Sequence, residues 1–299
     1  MNVRISALAA PTAAALALAV LAGAAHADGM RRGSVKDAPP PPPQERCKLS
    51  ANIGLATEYV FRGISQTSEG AAVQGGFDAT CGMFYAGVWA SNLDWGANDG
   101  GSGRNIANIE MDWYGGLKFN TGRIAWDAGV IYYTYPRGLD RAVVSLTDDT
   151  LVRGEFNYVE LKLGASAELW KDGTLGVTGF FSPDYQYETG NVWTVEGSFT
   201  QNLPKFMAFG REWSPSVSAL IGYQAATGST ADKARYAANV TGDDDHYVYW
   251  NAGLTLGFLE KWSLDLRYWD TNIDRPADGC KGPLFACDER FVATLKFTY

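Results

Sequence analysis

Beyond Ala27 this 299-residue chain has no apolar run of the roughly 20 residues that a membrane-spanning helix needs. Any insertion into a bilayer must therefore use β-strands, because only helices and closed barrels satisfy every backbone hydrogen bond in lipid. Basic residues are also scarce, since 25 lysines and arginines stand against 33 aspartates and glutamates. Because no basic patch with interleaved aromatic residues is visible, we expect no nucleic-acid partner.

Histidine is scarce as well, with two in the whole chain. The second, His246, follows the acidic run Asp243–Asp245, which lacks the spacing of an EF-hand. A hydrolase built on a barrel wall would need Ser, His and an orienting Asn or Asp at one level, and no such set is visible. We therefore predict no catalytic residue, metal site, cofactor or enzymatic activity, and interpret His246 as an ordinary loop residue.

The first 46 residues predict export rather than a folded domain. Arg4, the Ala/Leu-rich run after it and the small residues Ala25 and Ala27 are typical of a signal peptide over residues 1–27. Residues 28–46 contain the proline run Pro39–Pro43, which favours an extended, solvated segment. We interpret them as a periplasmic leader before one folded domain at residues 47–299.

From Leu49 onwards, segments of alternating apolar and small or polar residues follow one another. In the first, Leu49, Ile53 and Leu55 share one face, while Ser50 and Asn52 share the other. Twelve such strands are predicted, at 49–61 and then near 71–80, 83–93, 109–119, 123–135, 157–170, 174–181, 192–203, 213–223, 247–259, 262–268 and 291–299.

The connections between these strands alternate strictly in length. Long polar segments follow the odd-numbered strands and short ones follow the even-numbered strands, as in barrels with short periplasmic turns and long extracellular loops. A β-sandwich has no reason to keep this alternation. The predicted fold class is therefore all-β, an antiparallel transmembrane β-barrel of about twelve strands, integral to the bacterial outer membrane. Aromatic residues near strand ends predict interface girdles: Tyr59, Trp126, Tyr132, Trp213, Trp250, Trp262, Tyr268 and Tyr299.

The last segment, Phe291–Tyr299, alternates apolar and polar residues and stops on an aromatic residue. An apolar strand at a free terminus would be an aggregation-prone edge in water, unless it pairs with the first strand inside a membrane. The pattern resembles the C-terminal assembly signal of outer-membrane barrels. We therefore expect two partners, the lipid of the outer membrane and the barrel assembly machinery.

Four cysteines fit this topology as two pairs. Cys47 and Cys81 fall at the periplasmic ends of strands, whereas Cys280 and Cys287 fall in the last extracellular loop. Each pair could form a disulfide in an oxidising compartment. The two connectivities that would join cysteines across the membrane are excluded by the predicted topology.

The inward face of the predicted barrel carries more acids than bases, which would concentrate cations along a wet lumen. The candidate lumen residues are Glu58, Arg62, Asp78, Glu110, Asp112, Lys118, Asp127, Glu160, Lys162, Asp265 and Arg267. The first hypothesis is porin-like, passive passage of small hydrophilic solutes with mild cation preference. The alternative is that these charges pair across the interior of a non-conducting protein that binds a ligand or partner through its extracellular loops.

Arg62, at the end of the first predicted strand, could likewise serve the pore or the structure. It could act as a constriction charge beside Gly63, which would let the chain turn into the first loop. Pairing with a carboxylate on a neighbouring strand is the favoured interpretation.

Three motifs in the first third of the chain are similar to one known family. They are LSANIGLATEYVFRGISQT at 49–67, AVQGGF at 72–77 and YAGVWASN at 85–92. Together they resemble the Gcw_chp family of proteobacterial outer-membrane proteins of unknown function. The resemblance implies a porin-like exported barrel and supplies no catalytic residue. The positions that match its recurring pattern are Tyr59, Arg62, Gly63, Gln66, Gly75, Gly76, Trp89, Ser91 and Asn92.

Overall fold

The computed structural model describes residues 47–95, 107–136, 138, 156–242, 244–273 and 287–299, so the predicted signal peptide and leader lie outside the described residues. Twelve antiparallel strands each pair with their sequence neighbours, and the first pairs with the last, which closes a barrel. They are β1 (Lys48–Ala56), β2 (Ala72–Cys81), β3 (Phe84–Asn92), β4 (Ile109–Thr121), β5 (Ile124–Thr134), β6 (Tyr158–Trp170), β7 (Gly173–Ser182), β8 (Val192–Asn202), β9 (Arg211–Ala226), β10 (His246–Phe258), β11 (Trp262–Thr271) and β12 (Arg290–Thr298). The predicted all-β, twelve-stranded fold is confirmed.

The outer surface of the barrel is an apolar belt. On β1, Leu49, Ile53 and Leu55 are exposed, and Phe77 and Phe291 continue this surface on the two strands that pair with β1. Alternate residues of the same strands point to the interior, as the period of two requires. Because such a belt is stable only in lipid, the fold is that of an outer-membrane barrel.

One end of the barrel carries short connections, and we call it the turn end. Only Gly82 and Met83 separate β2 from β3, and only Lys171 and Asp172 separate β6 from β7. In the longest of these connections, Phe206–Ala208 pairs with the start of β9 and extends it as a hairpin. The opposite end, which carries the long connections, we call the loop end. Short turns face the periplasm in barrels of this class.

A disulfide fixes the turn end. Cys47 precedes β1 and Cys81 ends β2, and their Cα atoms are 4.4 Å apart across the paired strands. This spacing lies within the range that a disulfide allows. Cys287 is also disulfide-bonded. The other cysteine predicted to pair in that loop, Cys280, lies outside the described residues.

The loop end carries the few helical segments. Between β7 and β8 lies a 3₁₀ turn, Gln186–Glu188, and between β9 and β10 lie α1 (Thr230–Tyr236) and the π-helical turn Ala237–Thr241. Ser229 caps α1, since its hydroxyl accepts a hydrogen bond from the backbone N–H of Asp232. In the described part of the chain, no helix is long and apolar enough to cross a membrane.

The first strand ends earlier than its alternation predicts. β1 stops at Ala56, and Val60–Phe61 then pairs with Ile64–Ser65 in a separate two-stranded hairpin. Its turn consists of Arg62 and Gly63, with φ angles of 50° and 84°. Positive φ at both residues identifies a type I′ turn, which reverses the chain within two residues. We call residues 58–66 the inner hairpin.

Two other strands differ from their predicted lengths. The ninth, expected at 213–223, is β9 at Arg211–Ala226, and the eleventh, expected at 262–268, is β11 at Trp262–Thr271. Both continue beyond the apolar alternation because their last residues still pair with β10. These extensions carry the wall past the lipid belt at the loop end.

Candidate functional site

Arg62, at the tip of the inner hairpin, reaches across the lumen to β6. Its guanidinium donates two hydrogen bonds to the two carboxylate oxygens of Glu160, both 2.8 Å long. Tyr133 on β5 donates a third to Glu160 at 3.1 Å. The rings of Phe61 and Phe180 lie 4.8 and 4.9 Å from the guanidinium carbon. Because the two charged side chains are only 4% and 1% exposed, this is a bidentate ion pair held away from water.

The base of the inner hairpin is attached to strands on both sides of the β1–β12 seam. The Tyr59 hydroxyl donates to Glu110 on β4 at 2.6 Å, and its ring packs edge-on against Trp89 on β3. Glu58 forms a buried ion pair with Arg290 on β12. Through these residues and through Phe61 and Arg62, the hairpin contacts β3, β4, β5, β6, β7 and β12, which are six of the twelve strands around the lumen.

Tyrosines fill the rest of the loop half of the lumen. The Tyr247 hydroxyl shares its proton between the carbonyl oxygen of Arg62, 3.1 Å away, and the side-chain oxygen of Gln224, 3.0 Å away. Tyr249 donates to Glu196 on β8 at 2.6 Å. The buried tyrosines of this region are Tyr59, Tyr133, Tyr135, Tyr158, Tyr185, Tyr236, Tyr247 and Tyr249. This half of the interior is thus closed by side chains.

Two glycines in this region make room for neighbouring side chains rather than for water. A β-carbon at Gly222 would lie 2.2 Å from the ring of Tyr249. One at Gly63 would lie 2.4 Å from the side chain of Thr271. Both distances are shorter than any van der Waals contact, so larger residues at these two positions would displace the packing.

Three carboxyl groups, those of Glu110, Asp112 and Glu160, lie near one another in the loop half, and Arg62 pairs with one of them, Glu160. Asp112 on β4 lies close enough to Glu110 and Glu160 to interact with both electrostatically. Its side chain is nine-tenths buried, and its Oδ1 has no hydrogen-bond partner in the described part of the chain. Among the described residues, no three His, Cys, Asp or Glu side chains are arranged to hold a metal ion. The cluster is therefore acidic and organised around an organic cation.

The turn half of the lumen contains ion pairs that water reaches. Lys162 on β6 donates to Asp127 on β5 at 2.8 Å, and Tyr85 donates to the other oxygen of Asp127 at 2.7 Å. Lys118 on β4 lies 4.0 Å from the same carboxylate. The side chains of Lys162 and Asp127 are 24% and 23% exposed. A cavity of about 530 Å³ lies beside them and is also lined by Ser166, Thr178 and Ser198.

Other charged groups of the turn half have hydrogen-bond partners as well. Arg267 on β11 donates to Asp265 at 2.9 Å and to Asn251 at 2.6 Å. Tyr114 donates to Asp78 on β2 at 2.5 Å. In this half, Asp78, Asp127 and Asp265 are matched by Lys118, Lys162 and Arg267. The carboxylates in excess of the bases therefore lie in the loop half.

The structure places all eleven predicted lumen residues inside the barrel but divides them between these two halves. The expected positions of Glu58 and Arg62 on the first strand are wrong, because β1 ends at Ala56 and both residues belong to the inner hairpin. Arg62 also pairs with the far wall rather than with a neighbouring strand. Tyr59, predicted in an interface girdle, is buried in the lumen. The other seven girdle candidates lie on the outer side.

His246 begins β10 rather than lying in a loop, because its backbone pairs with β9. Its Nδ1 is 3.0 Å from Asp245, and it faces the outside of the barrel near Tyr223. Hydrogen bonds to His246 and Lys233 hold the pKa of the Asp245 carboxyl below its usual range. These contacts fix the last residues of the β9–β10 connection.

Arg290 and the tyrosines of the loop half were not among the residues predicted to line the lumen. Tyr133, Tyr247 and Tyr249 occupy inward positions of their strands, where a water-filled lumen would favour smaller or charged residues. Arg290 stands two residues before the inward Val292, on the same face. Large aromatic residues at inward positions near the loop end are therefore the signal that could have predicted a filled interior.

Several solved structures share the barrel architecture at low similarity. The KdgM porin has 7% identity and a TM-score of 0.46, with 84% of this chain and 99% of that chain covered. The NanC porin has 10% identity and a TM-score of 0.44, with 84% and 98% covered. LpxR from Salmonella typhimurium has 10% identity and a TM-score of 0.42, with 84% and 99% covered.

Sequence comparison gives a family and no closer relative. No curated protein matches the chain. A family model described as "Bacterial protein of unknown function (Gcw_chp)" matches residues 42–299, which include the whole barrel and the inner hairpin. The chain belongs to the Gcw_chp family.

Proposed function

We propose that this barrel is a porin-like channel of the outer membrane that conducts small hydrophilic solutes when the inner hairpin leaves the lumen. The observation that carries this proposal is the division of one polar lumen into an open, charged half and a half filled by one short hairpin and the tyrosines packed around it. Side-chain contacts alone hold the tip of this hairpin against the far wall, so it can withdraw without breaking the barrel sheet. The proposed passage is passive and requires no catalytic group.

A cation preference follows from what the hairpin covers. In the closed arrangement Arg62 neutralises Glu160, which interacts electrostatically with Asp112, and Asp112 in turn interacts with Glu110. When Arg62 withdraws, these three carboxyl groups line the passage without a compensating base from the hairpin. Rings of carboxylates favour cations in channels, so the open lumen is expected to prefer cations.

The second candidate is a non-conducting outer-membrane protein that acts through its extracellular loops. The burial of the tyrosines and of the Arg62–Glu160 pair in the loop half favours it. A lumen that remains closed under all conditions would serve only to hold the wall together. Opening of the lumen is therefore the property that separates the two candidates.

The test is single-channel conductance in planar bilayers, with a variant whose hairpin is too short to cross the lumen. The backbone N–H of Gln66 donates to the carbonyl oxygen of Tyr59 at 2.7 Å, the geometry that closes a two-residue turn. Replacing residues 60–65 by Asn-Gly, a pair favoured in type I′ turns, therefore removes the tip and keeps the base. The matched control is Glu69→Gln, in the exposed part of the same loop.

We expect rare openings from the unmodified protein and from the control, and sustained steps from the short-hairpin variant. A salt gradient should show cation preference in these steps, reduced when Glu110→Gln and Asp112→Asn are added. Heat-modifiable gel mobility reports whether each variant is folded. A folded short-hairpin variant without steps would overturn the channel and leave the second candidate.

We also propose that Phe291–Tyr299 is recognised by the barrel assembly machinery. Phe291 and Tyr299 are 78% and 76% exposed on the outer face, and neither packs into the lumen. Phe291→Ala/Tyr299→Ala should lower the amount of barrel assembled in cells, whereas unassisted refolding into lipid vesicles should proceed. Equal losses in both measurements would contradict a role in recognition.

A further inference from the structure

We infer that the place occupied by Arg62 is a binding site for solutes that carry a guanidinium group, with Arg62 as a tethered substitute for such a solute. This inference names the solute class of the proposed channel, and it rests on that function because the hairpin must leave the lumen. The wall that remains after withdrawal consists of Glu160, Tyr133 and Phe180, with Asp112 nearby. Each of these side chains contributes separately to the selectivity.

The Glu160 carboxylate is presented in the geometry that a planar cation requires. Both of its oxygens accept from Arg62 at 2.8 Å, in the two-pronged arrangement specific to guanidinium. Tyr133 holds one oxygen with a hydrogen bond from the wall, so the orientation does not depend on the hairpin. An ammonium group would bind the same carboxylate only as a point charge.

An aromatic face completes this part of the site. The ring of Phe180, on β7, lies 4.9 Å from the guanidinium carbon of Arg62. Cations are attracted to the face of an aromatic ring at this distance, most strongly where water is excluded. Phe180 belongs to the wall and stays in place, whereas Phe61 would leave with the hairpin.

Asp112 indicates that the site can accept more donors than Arg62 supplies. Its Oδ1 is buried and unpartnered among the described residues, and buried carboxylate oxygens are nearly always hydrogen-bonded. Arg62 directs its donors to Glu160 instead. A free solute with a second donor group, such as an amine beside its guanidinium, could pair with Asp112 as well.

The backbone of the hairpin tip also points to a role for the Arg62 side chain. Arg62 has φ of 50°, in the left-handed region where a β-carbon is disfavoured. Asn, Asp or Gly would fit this turn position better. An arginine in a strained turn, with its guanidinium in an acidic and aromatic site, is consistent with selection for the side chain rather than for the turn.

The test is calorimetric titration of the full-length Arg62→Ala variant in detergent micelles, with methylguanidine and methylamine as probes. We expect methylguanidine to bind at one site about tenfold more tightly than methylamine, because only guanidinium engages both oxygens of Glu160. The unmodified protein should not bind either probe, since Arg62 occupies the site. The matched control, Arg62→Ala/Glu160→Gln, should lose the preference.

Equal affinity for the two probes, or binding that Glu160→Gln leaves unchanged, would overturn the site. If Arg62→Ala does not fold, the short-hairpin variant with Asn-Gly in place of residues 60–65 also empties the site and is titrated instead. A folded, emptied variant that binds neither probe would likewise overturn it. Binding without single-channel steps would leave the site intact and contradict the channel, whereas steps without binding would do the reverse.

Discussion

Glu160 and Lys162 are successive inward residues of one strand, β6, yet they belong to two different environments. Glu160 pairs with Arg62 where the charged side chains are at most 4% exposed, whereas Lys162 pairs with Asp127 where both are about a quarter exposed. The barrel wall is the same on both sides of this step. The difference comes from the inner hairpin, which excludes water from the loop half only.

How much an ion pair in this lumen contributes to stability therefore depends on whether the hairpin covers it rather than on which strand carries it. In the turn half, water screens Lys162 and Asp127, and such pairs contribute at most about 1 kcal/mol. In the loop half, removing one partner leaves a buried, uncompensated charge, which costs about 3–5 kcal/mol. The hairpin is therefore the element that divides a uniform barrel into a dry half and a wet half.

The strongest way to break this division is to remove the charge at the hairpin tip. Arg62→Met should lower the free energy of unfolding by about 3–5 kcal/mol, because Glu160 is left buried without its partner. This loss of stability cannot exceed the free energy of withdrawing the hairpin, because withdrawal lets water reach Glu160 and relieves the buried charge. Urea unfolding in lipid vesicles measures the change.

The matched control for this prediction is Arg62→Met/Glu160→Leu, which removes both charges. It should be more stable than Arg62→Met alone, since apolar residues of similar volume can replace a buried ion pair. If the double variant loses as much free energy of unfolding as Arg62→Met, or more, the view that the loop half is dry would be contradicted.

The turn half should depend instead on its covalent link. Cys47→Ser/Cys81→Ser should lower the free energy of unfolding by about 2–4 kcal/mol, because the unfolded chain is no longer restrained over 34 residues. Urea unfolding in vesicles is again the measurement, and conductance should not change. A change in single-channel conductance would instead show that the two halves are coupled.

Substitutions at two glycines test whether the interior is packed more tightly than the lipid-facing surface. Gly222→Ala should cost about 1–3 kcal/mol, since the new β-carbon displaces Tyr249 and its hydrogen bond to Glu196. Gly179 faces outward on β7, with nothing within 4 Å of an added β-carbon. Gly179→Ala should therefore leave the unfolding midpoint almost unchanged, and similar losses for both would refute tight packing around Tyr249.

The smallest effect is expected where water already screens the charges. Asp127→Asn should change the free energy of unfolding by less than about 1 kcal/mol, because the carboxylate is partly exposed. In the short-hairpin variant the same substitution should shift the reversal potential in a salt gradient slightly away from cation preference. A loss comparable to that of Arg62→Met would mean that the turn half is as dry as the loop half.

The wall of the barrel was predictable because its signal is local. The alternation of apolar with small or polar residues indicates which face of a strand is outside. Leu49, Ile53 and Leu55 are exposed as expected. The same alternation gave a wrong prediction for the end of β1, which stops at Ala56. Tyr59 and Phe61 continue the alternation, so the pattern predicts a longer strand, and Arg62-Gly63 is not among the pairs that signal a type I′ turn.

The partners inside the lumen could not be predicted from the same pattern. Arg62 and Glu160 are 98 residues apart in sequence, and Glu58 and Arg290 are 232 apart. Alternation specifies which face a residue occupies but not how far around the wall its partner lies. The expected excess of acids was real in composition, yet only the closed barrel reveals that the excess belongs to the half that the hairpin covers.

The ion pair between Glu58 and Arg290 has a consequence for the order of events during folding. Glu58 follows the first strand and Arg290 begins the last, and their strands meet only when β1 and β12 zip together from Ala56↔Thr294 to Asn52↔Thr298. Because this seam must close before the pair can form, the Glu58–Arg290 contact follows closure of the cylinder and links the base of the inner hairpin to both ends of the barrel sheet.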